Sequence, residues 1–303
     1  MTITSSFIPA ETLADKSQIS MSQIRTGLGQ TGVLSFGDAD IYRFYKFQYL
    51  TSPNIPTSGD SVNMNRMRRQ LALFTVTNDD SSGINAISRM GTNYRSGATT
   101  FTVIINSGVI LGAPNTSTPA INIEGFQPTD DAVIINNGII SGAGGKGGDP
   151  GNLATANPTL GAIGGTAIKI RGPSGWKGTI DNVGEIYGGG GGGGGGEGYF
   201  TLTNNNKVRN NFYGAAGGGG AGFVVGQGGA GLGNAAGGQD GTRTTGGGAQ
   251  SSVGGSSGKG GNIGVAGGSG AVAGGQPGYY LDGSAYITFI NHAGTKGGQI
   301  RSG

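Results

Sequence analysis

Nine consecutive glycines at residues 188–196 constrain the fold of this 303-residue chain more than any other feature. Glycine has no side chain with which to bury apolar surface, and it loses more backbone entropy on folding than any other residue. Of the 69 glycines, 57 follow Ser141, where they make up 35% of the sequence against a usual ~7%. The composition therefore changes near Ser141, and the two parts of the chain need different structural explanations.

The rest of the composition excludes several classes of function. The chain has no cysteine and a single histidine, His292, so disulfide scaffolds, thiolate metal sites and thiol nucleophiles are excluded. No apolar run approaches the ~18 residues of a membrane span, and the N-terminus lacks a signal-peptide pattern. The net charge is +3 and the basic residues are scattered. We therefore expect no cofactor, no metal ion, no nucleic-acid partner and no membrane insertion.

An internal repeat organises the chain. Each copy has an apolar strand, then Asn, a small residue and Gly, then a second short strand. The copies are residues 103–112, 133–142, 179–188 and, more loosely, 287–297. Asn and Gly tolerate the positive φ of a tight corner, and the flanking β-branched residues favour strands. Stacked corners of this kind predict a β-helix or β-prism, with insertions of growing length between the repeats.

The glycine runs lie inside these insertions, and three structures compete to explain them. A flexible linker is the default for glycine-rich sequence, but a strand repeat resumes after the runs. A collagen helix is excluded because the chain has only 10 prolines and no strict triplet period. Extended, polyproline-II-like strands packed side by side are favoured, provided that hydrogen bonds between strands pair the backbone groups.

The N-terminal part predicts a compact unit with two short helices. Ser20 caps the first helix, and Asp38 caps the second. Its apolar residues are Met21, Ile24, Leu28, Phe36 and Tyr42. Residues 59–105 then alternate in the manner of strands, which predicts a β-rich domain.

Three stretches resemble phage tail proteins. ISMSQIRTGLG at residues 19–29, followed by SFGD at 35–38, resembles a segment found in many bacteriophage tail and fibre proteins. The glycine-rich stretches look like distal tail-fibre adhesins, in which a polyglycine-II lattice displays receptor-binding loops. The closing stretch, residues 278–291, resembles the C-terminal ends of phage fibre and tail-tip proteins.

The resemblance and the repeats together imply a mainly β fold in three parts. Residues 1–58 would be a small α+β virion-attachment region, and residues 59–141 a β-rich middle domain. Residues 142–303 would be a distal domain with β-helix- or β-prism-like strand repeats, interrupted by a polyglycine-II-like bundle.

The implied function is host receptor binding by a virion protein made in the host cytoplasm. The partners would be other tail, fibre or baseplate proteins, held through the five apolar N-terminal residues named above, and a bacterial outer-membrane protein or surface polysaccharide. Apolar strand repeats with little other core favour a homotrimer.

A glycine lattice has no side chains for recognition, so specificity must lie between the runs. Residues 199–213 combine aromatic, cationic and amide side chains, and they also fit a hairpin around an Asn turn. The candidate receptor-binding residues there are Tyr199, Phe200, Asn204, Asn205, Lys207, Arg209, Phe212 and Tyr213. Arg243 is a weaker candidate, and Trp176 fits a structural role better than a binding role.

Other functions have less support. A glycosidase needs a carboxylate pair, and Asp181 with Glu185 fits a structural corner better, so we expect no enzyme. A purely structural fibre or baseplate component, with glycines serving assembly only, is the main alternative. An ice-binding glycine lattice is a remote one, because the runs offer no regular Thr array.

Overall fold

The computed structural model describes residues 3–7, 70–152, 157–203, 208–233, 235–291 and 293–303. The first strands are β1 (Ile3–Phe7), β2 (Gln70–Val76), β3 (Ile84–Asn85), β4 (Thr99–Ile105), β5 (Ile110–Gly112), β6 (Ile121–Ile123), β7 (Asp131–Asn136), β8 (Ile139–Ser141) and β9 (Gly151–Asn152). The later strands are β10 (Ile168–Ile170), β11 (Gly178–Asn182), β12 (Glu185–Tyr187), β13 (Glu197–Thr203), β14 (Val208–Phe212), β15 (Tyr279–Asp282), β16 (Ile287–Asn291), β17 (Thr295–Gly297) and β18 (Gln299–Arg301). Helix α1 spans Ala86–Met90, and 3-10 turns span Gly91–Asn93 and Ser284–Tyr286.

Three mainly parallel sheets form the body of the molecule. Their strand orders are β1-β2-β4-β7-β11-β16, β3-β6-β10-β15-β18 and β5-β8-β12-β17. The chain visits the sheets in rotation, for example through β4, β5 and β6, and finally through β16, β17 and β18. Each rotation is one coil of a β-helix. The predicted mainly β fold is therefore confirmed, with parallel pairing throughout these sheets except between β1 and β2.

The long insertions leave the β-helix from one corner. Residues 142–167 separate β8 from β10, and residues 188–278 separate β12 from β15. In an earlier coil the same corner, between β5 and β6, holds only residues 113–120. Strands from both sides of Ser141 share all three sheets, and the predicted division into residues 1–58, 59–141 and 142–303 stays a prediction.

The core lies inside the coils, where alternate side chains from stacked strands meet. Phe74, Val103, Ile134 and Ile180 form one ladder across neighbouring strands, and each is at most 1% exposed. Ile84, Ile121, Ile168 and Leu281 form another on the second sheet. Trp176 is buried, and its indole N–H donates to the Asp130 carbonyl at 2.7 Å. The structural role predicted for Trp176 is confirmed.

The Asn-Gly corners stack on one another, which confirms the repeat. The buried Asn136 side chain donates to Asn182 Oδ1 at 2.7 Å and to the Glu185 carbonyl at 3.0 Å. The corner glycines were expected to provide a positive φ, and this expectation was only partly right. Among the corner glycines only Gly108 has a positive φ, of 76°, whereas a Cβ on Gly138 would lie 2.3 Å from the Val109 carbonyl oxygen. Close approach of stacked coils, not backbone handedness, requires the later glycine.

The glycine run 188–196 lies at the centre of an ordered bundle. The N–H groups of residues 189–196 donate in a repeat of three, at 2.7 to 3.0 Å, to segments 159–165, 215–221 and 265–268. Its carbonyl groups accept from three further segments, 145–151, 258–264 and 271–278. Six neighbours thus pair the backbone groups of one strand. Three residues per turn is the period of polyproline II. The packing is observed, while polyglycine-II-like backbone angles stay a prediction.

Candidate functional site

The glycine bundle has two ends, which we name by their distance from the β-helix. The near end is where segments leave β8 and β12, and it includes the loops 222–225, 242–246 and 262–265, as the bonds from Gly144 to Val224 and from Gly264 to Gly188 show. The distal end is where Gly151 donates to Gly196 and Gly196 donates to Ala215. It carries the hairpin 197–213 and the turns around residues 230–237, 249–257 and 269–273.

The distal hairpin is formed by β13 and β14. The strands pair antiparallel in the register Tyr199 with Phe212 through Thr203 with Val208, which confirms the predicted pairing. The base of the hairpin joins the lattice, because Glu197 and Gly198 pair in parallel with β9 and Gly214 donates to the Gly151 carbonyl at 2.9 Å. The hairpin is therefore anchored through its backbone at both strands.

An aromatic pair lies at the first rung of this hairpin. The ring centroids of Tyr199 and Phe212 are 5.0 Å apart with planes tilted by 32°. Tyr199 remains 39% exposed, and Phe212 is half-buried. Packing against Phe212 fixes the Tyr199 ring while leaving part of its surface open to a partner.

Three other residues extend the apolar surface of the distal end. Val253 is 67% exposed and Leu232 is 40% exposed, each in a turn between glycine segments. Tyr213 joins them to the hairpin, because its ring lies against Gly233 and its carbonyl accepts from Ser252 Oγ at 2.6 Å. Sequence reasoning did not single out Val253. The signal available was a β-branched residue in a turn otherwise made of Ser and Gly.

An acidic side chain closes the edge of the lattice at this end. Asp149 Oδ1 accepts from the Ala230 N–H at 2.8 Å and lies 3.2 Å from the Lys146 ammonium group. Its own N–H donates to Thr159 Oγ1 at 2.7 Å. Asp149 thereby joins its own segment to two others, with its side chain accepting from the Ala230 N–H and its backbone bonded to Thr159.

The structure separates the predicted site residues into groups. Tyr199, Phe212 and Tyr213 lie together at the distal end, and Phe200 and Arg209 occupy the paired strands of the same hairpin. Asn204, Asn205 and Lys207 lie outside the described residues. The same is true of the predicted attachment residues Met21, Ile24, Leu28, Phe36 and Tyr42, and of His292.

Arg243 does not join this group. It lies at the near end, where its guanidinium group is 3.1 Å from Asp79 Oδ2 and 4.6 Å from the centre of the Phe223 ring. Its partner is 164 residues away along the chain, so no local sequence pattern indicates this contact.

The residues that the structure describes lack two other kinds of site. No cluster of three or more His, Asp or Glu side chains there is arranged to hold a metal ion. No described helix is long and apolar enough to cross a membrane.

Comparison with known proteins identifies the fold and the family. No curated protein matches the chain. A chain of the crystal structure of the gp37-gp38 adhesin tip complex of the bacteriophage S16 long tail fiber superposes with a TM-score of 0.59 at 21% identity, covering 92% of this chain and 96% of that one. This likeness shows a shared fold. The family model for phage tail fibre adhesin Gp38 matches residues 72–303. The chain belongs to the phage tail fibre adhesin Gp38 family, which confirms the predicted resemblance, the receptor-binding role and the place in the virion tail.

Proposed function

We propose that the distal end of the glycine bundle, centred on the hairpin 197–213, is the surface that contacts the bacterial receptor. The observation that carries this proposal is the Tyr199–Phe212 pair, which is held at 5.0 Å on a hairpin anchored in the lattice. The receptor class is an outer-membrane protein or a surface polysaccharide. Both offer hydrogen-bonding groups beside apolar patches that an exposed tyrosine can cover.

The physical reason lies in the cost of ordering a binding surface. An aromatic side chain supplies a large contact area with few torsions to restrict. A backbone-anchored hairpin adds little further ordering cost on binding, because its base is already fixed. Leu232 and Val253 lie on turns at the same end, and they extend the area that a receptor would cover.

A substitution of Tyr199 tests the proposal. We expect Tyr199→Ala to reduce adsorption of the phage to its host at least about tenfold, since exposed aromatic anchors contribute ~1.4 kcal/mol or more. Val265→Ala is the matched control, because Val265 is an exposed apolar residue in a near-end loop. Measured adsorption rates of the two variant phages should differ.

Unchanged adsorption by Tyr199→Ala particles, with a normal melting temperature, would contradict the proposal. That result would favour the alternative in which the glycine region serves assembly of a fibre or baseplate only. Deletion of the hairpin is a weaker test, because Glu197 and Gly198 at its base pair with β9 in the lattice.

We also propose that the chain is held by another tail-fibre protein through its N-terminal region, including Met21, Ile24, Leu28, Phe36 and Tyr42. The support is the similar solved structure, which is a complex of two tail-fibre proteins. Co-purification of the fibre with the wild-type chain, and loss of that co-purification with Leu28→Asp, would support attachment there.

We further propose that the chain forms a homotrimer. Light scattering on the chain alone tests it, since a trimer has three times the 30.0 kDa mass.

Binding without catalysis completes the proposal. Asp181 and Glu185 lie in β11 and β12 at a coil corner, where strand pairing explains their positions. Incubation of host surface polysaccharide with the protein should leave its chain length unchanged. Release of oligosaccharides would contradict this part of the proposal.

A further inference from the structure

A cavity of about 140 Å³ lies at the near end, at the opposite end of the bundle from the hairpin. Its floor is the outer face of the sheet formed by β5, β8 and β12, and its roof is made by the near-end loops. We call it the near-end cavity. The apolar residues that line it include Ile110, Ile139, Phe223 and Ile263, and Glu185 and Arg243 are among the polar ones.

The register of the sheet fixes the floor. Ile110, Ile139 and Glu185 are direct neighbours across three parallel strands, so their side chains project from the same face. Ser141 and Tyr187 form the next row on that face. A carboxylate thus stands beside two isoleucines in one row.

The aromatic wall has two contacts that fix its position. The Phe223 side chain packs directly on Gly112, where a Cβ atom would lie only 2.6 Å from the ring. The Arg243 guanidinium lies over the ring at 4.6 Å from its centre, and Asp79 holds this guanidinium at 3.1 Å. Asp79 is itself fixed, because its Oδ1 accepts from the Ile110 N–H at 2.9 Å. The cavity is therefore shaped before any ligand arrives.

The polar groups select what can enter. Within the described part of the chain Glu185 forms no ion pair, whereas Arg243 is neutralised by Asp79. Burial, then the negative charge of Glu185 and a hydrogen bond to its carboxylate, raise the pKa of the Tyr187 hydroxyl, so Tyr187 stays neutral. The Glu185 carboxylate has two oxygens and can accept a further hydrogen bond at the edge of an apolar space. A cationic ligand would lose its hydration in a space lined mainly by apolar side chains, so a neutral hydrogen-bond donor is favoured.

Size and chemistry together define the ligand. Apolar cavities of ~150 Å³ lined by Leu, Ile and Phe accept a benzene-sized ring. We propose that the near-end cavity binds a phenol-class ring, with its hydroxyl donating to Glu185. The ring contacts Ile110, Ile139 and Ile263. This site is distinct from the distal hairpin and does not depend on it.

Nuclear magnetic resonance on the full chain with labelled isoleucine methyl groups tests the proposal. p-Cresol is the probe, and toluene is the matched probe without a donor. We expect p-cresol to shift the Ile110, Ile139 and Ile263 methyl signals and to bind more tightly than toluene. N-acetyl-tyrosine amide distinguishes the two sources of such a ring, because the same shifts with this probe would indicate a tyrosine side chain of a protein. A response to p-cresol alone would indicate a free phenol.

Variants of the chain separate the contribution of the hydrogen bond to Glu185 from that of the apolar cavity. Glu185→Gln should weaken p-cresol binding about tenfold, because a charge-assisted hydrogen bond becomes a neutral one, and should leave toluene binding unchanged. Glu197→Gln, at the distal end, is the control and should change neither. Thr244→Trp, at an exposed position in the roof, should block both probes without unfolding the chain. No shift of the three methyl signals, or equal binding of both probes in Glu185→Gln and wild type, would overturn the proposal.

Discussion

The β-helix and the glycine bundle both fill the space between their strands, but they do so in opposite ways. In the β-helix, buried side chains such as Phe74, Phe101 and Ile134 fill the space between sheets and exclude water. In the bundle, the space between strands is closed by the backbones themselves. A Cβ on Gly192 would lie 1.9 Å from the Lys146 carbonyl oxygen. One region is stabilised by what its side chains bury, and the other by the absence of side chains.

The comparison teaches that the two regions are destabilised by opposite changes in side-chain size. Removing atoms damages the β-helix, because a cavity remains. Adding atoms damages the bundle, because carbonyl and N–H groups on neighbouring strands must separate and lose their partners. The predictions below test this contrast from the largest expected effect to the smallest.

The largest effect is expected for Gly192→Ala. The added methyl group would meet backbone atoms of residue 146 that cannot move without breaking the lattice, so we expect a loss of about 4 kcal/mol or more. Gly237→Ala is the matched control, because its nearest atom, the Gly229 carbonyl oxygen, is 3.4 Å away. Chemical denaturation measures both. Equal stability of the two variants would mean that close approach does not hold the bundle together.

Phe101→Ala tests the other side of the comparison. Phe101 is fully buried, with ring centroids 5.3 Å from Phe74 and 6.2 Å from Phe126. We expect a loss of about 3 to 4 kcal/mol in the free energy of unfolding. Phe101→Leu should lose less than half of that, because it leaves a smaller cavity. If both variants were as stable as wild type, side-chain burial would not be what stabilises the β-helix.

Asp282→Asn tests a charged contact in the last coils. The buried Asp282 carboxylate pairs with Arg171 at 2.5 Å and with Arg301. Burial alone would raise its pKa, but hydrogen bonds from Arg301 and Arg171 lower the pKa below the ordinary value. We expect Asp282→Asn to lose about 3 kcal/mol at neutral pH, because two guanidinium groups lose their anion.

The pH dependence of this contact has a definite sign. A depressed folded-state pKa stabilises the fold above the unfolded value near ~3.9, and the contribution is lost as the pH falls through the folded-state pKa. Wild-type stability should therefore decline on acidification more steeply than that of Asp282→Asn. Parallel curves for the two proteins between pH 6 and pH 2 would contradict the assignment.

The smallest effect is expected for Lys146→Ala. The Lys146–Asp149 pair is exposed, with 51% and 40% of the side chains accessible, so its loss should cost about 0.5 kcal/mol or less and depend on salt. Asp149→Ala should cost more, because the Ala230 N–H also loses its acceptor. A Lys146→Ala effect as large as that of Asp149→Ala would show that charge, not lattice closure, matters there.

The sequence predicted features that are written in local patterns. The Asn-Gly repeats predicted stacked coils because each carries its own strand and corner residues. The hairpin with the Tyr199–Phe212 pair followed from two stretches that can pair around an Asn turn. The positions of corner glycines such as Gly138 were predicted correctly, but the predicted reason, a positive φ, was only partly right. Gly138 is required by contact with the preceding coil, which no local sequence pattern indicates.

Lateral neighbours could not be predicted in the glycine-rich part. A glycine run has no side-chain pattern, so nothing in residues 188–196 distinguishes the six segments that surround it. The contact of Arg243 could not be predicted either, because its partner Asp79 belongs to an early turn of the β-helix. Its placement at the near end followed only from the path of the whole chain.

Amide hydrogen exchange of the glycines in the native protein tests the central claim most directly. If the bundle is a hydrogen-bonded scaffold, the amides of residues 189–196 should exchange slowly, within about tenfold of core strand amides such as Val103 and Ile134. Exchange of these glycine amides at the rate of an unstructured peptide, while the β-helix amides remain protected, would contradict the claim.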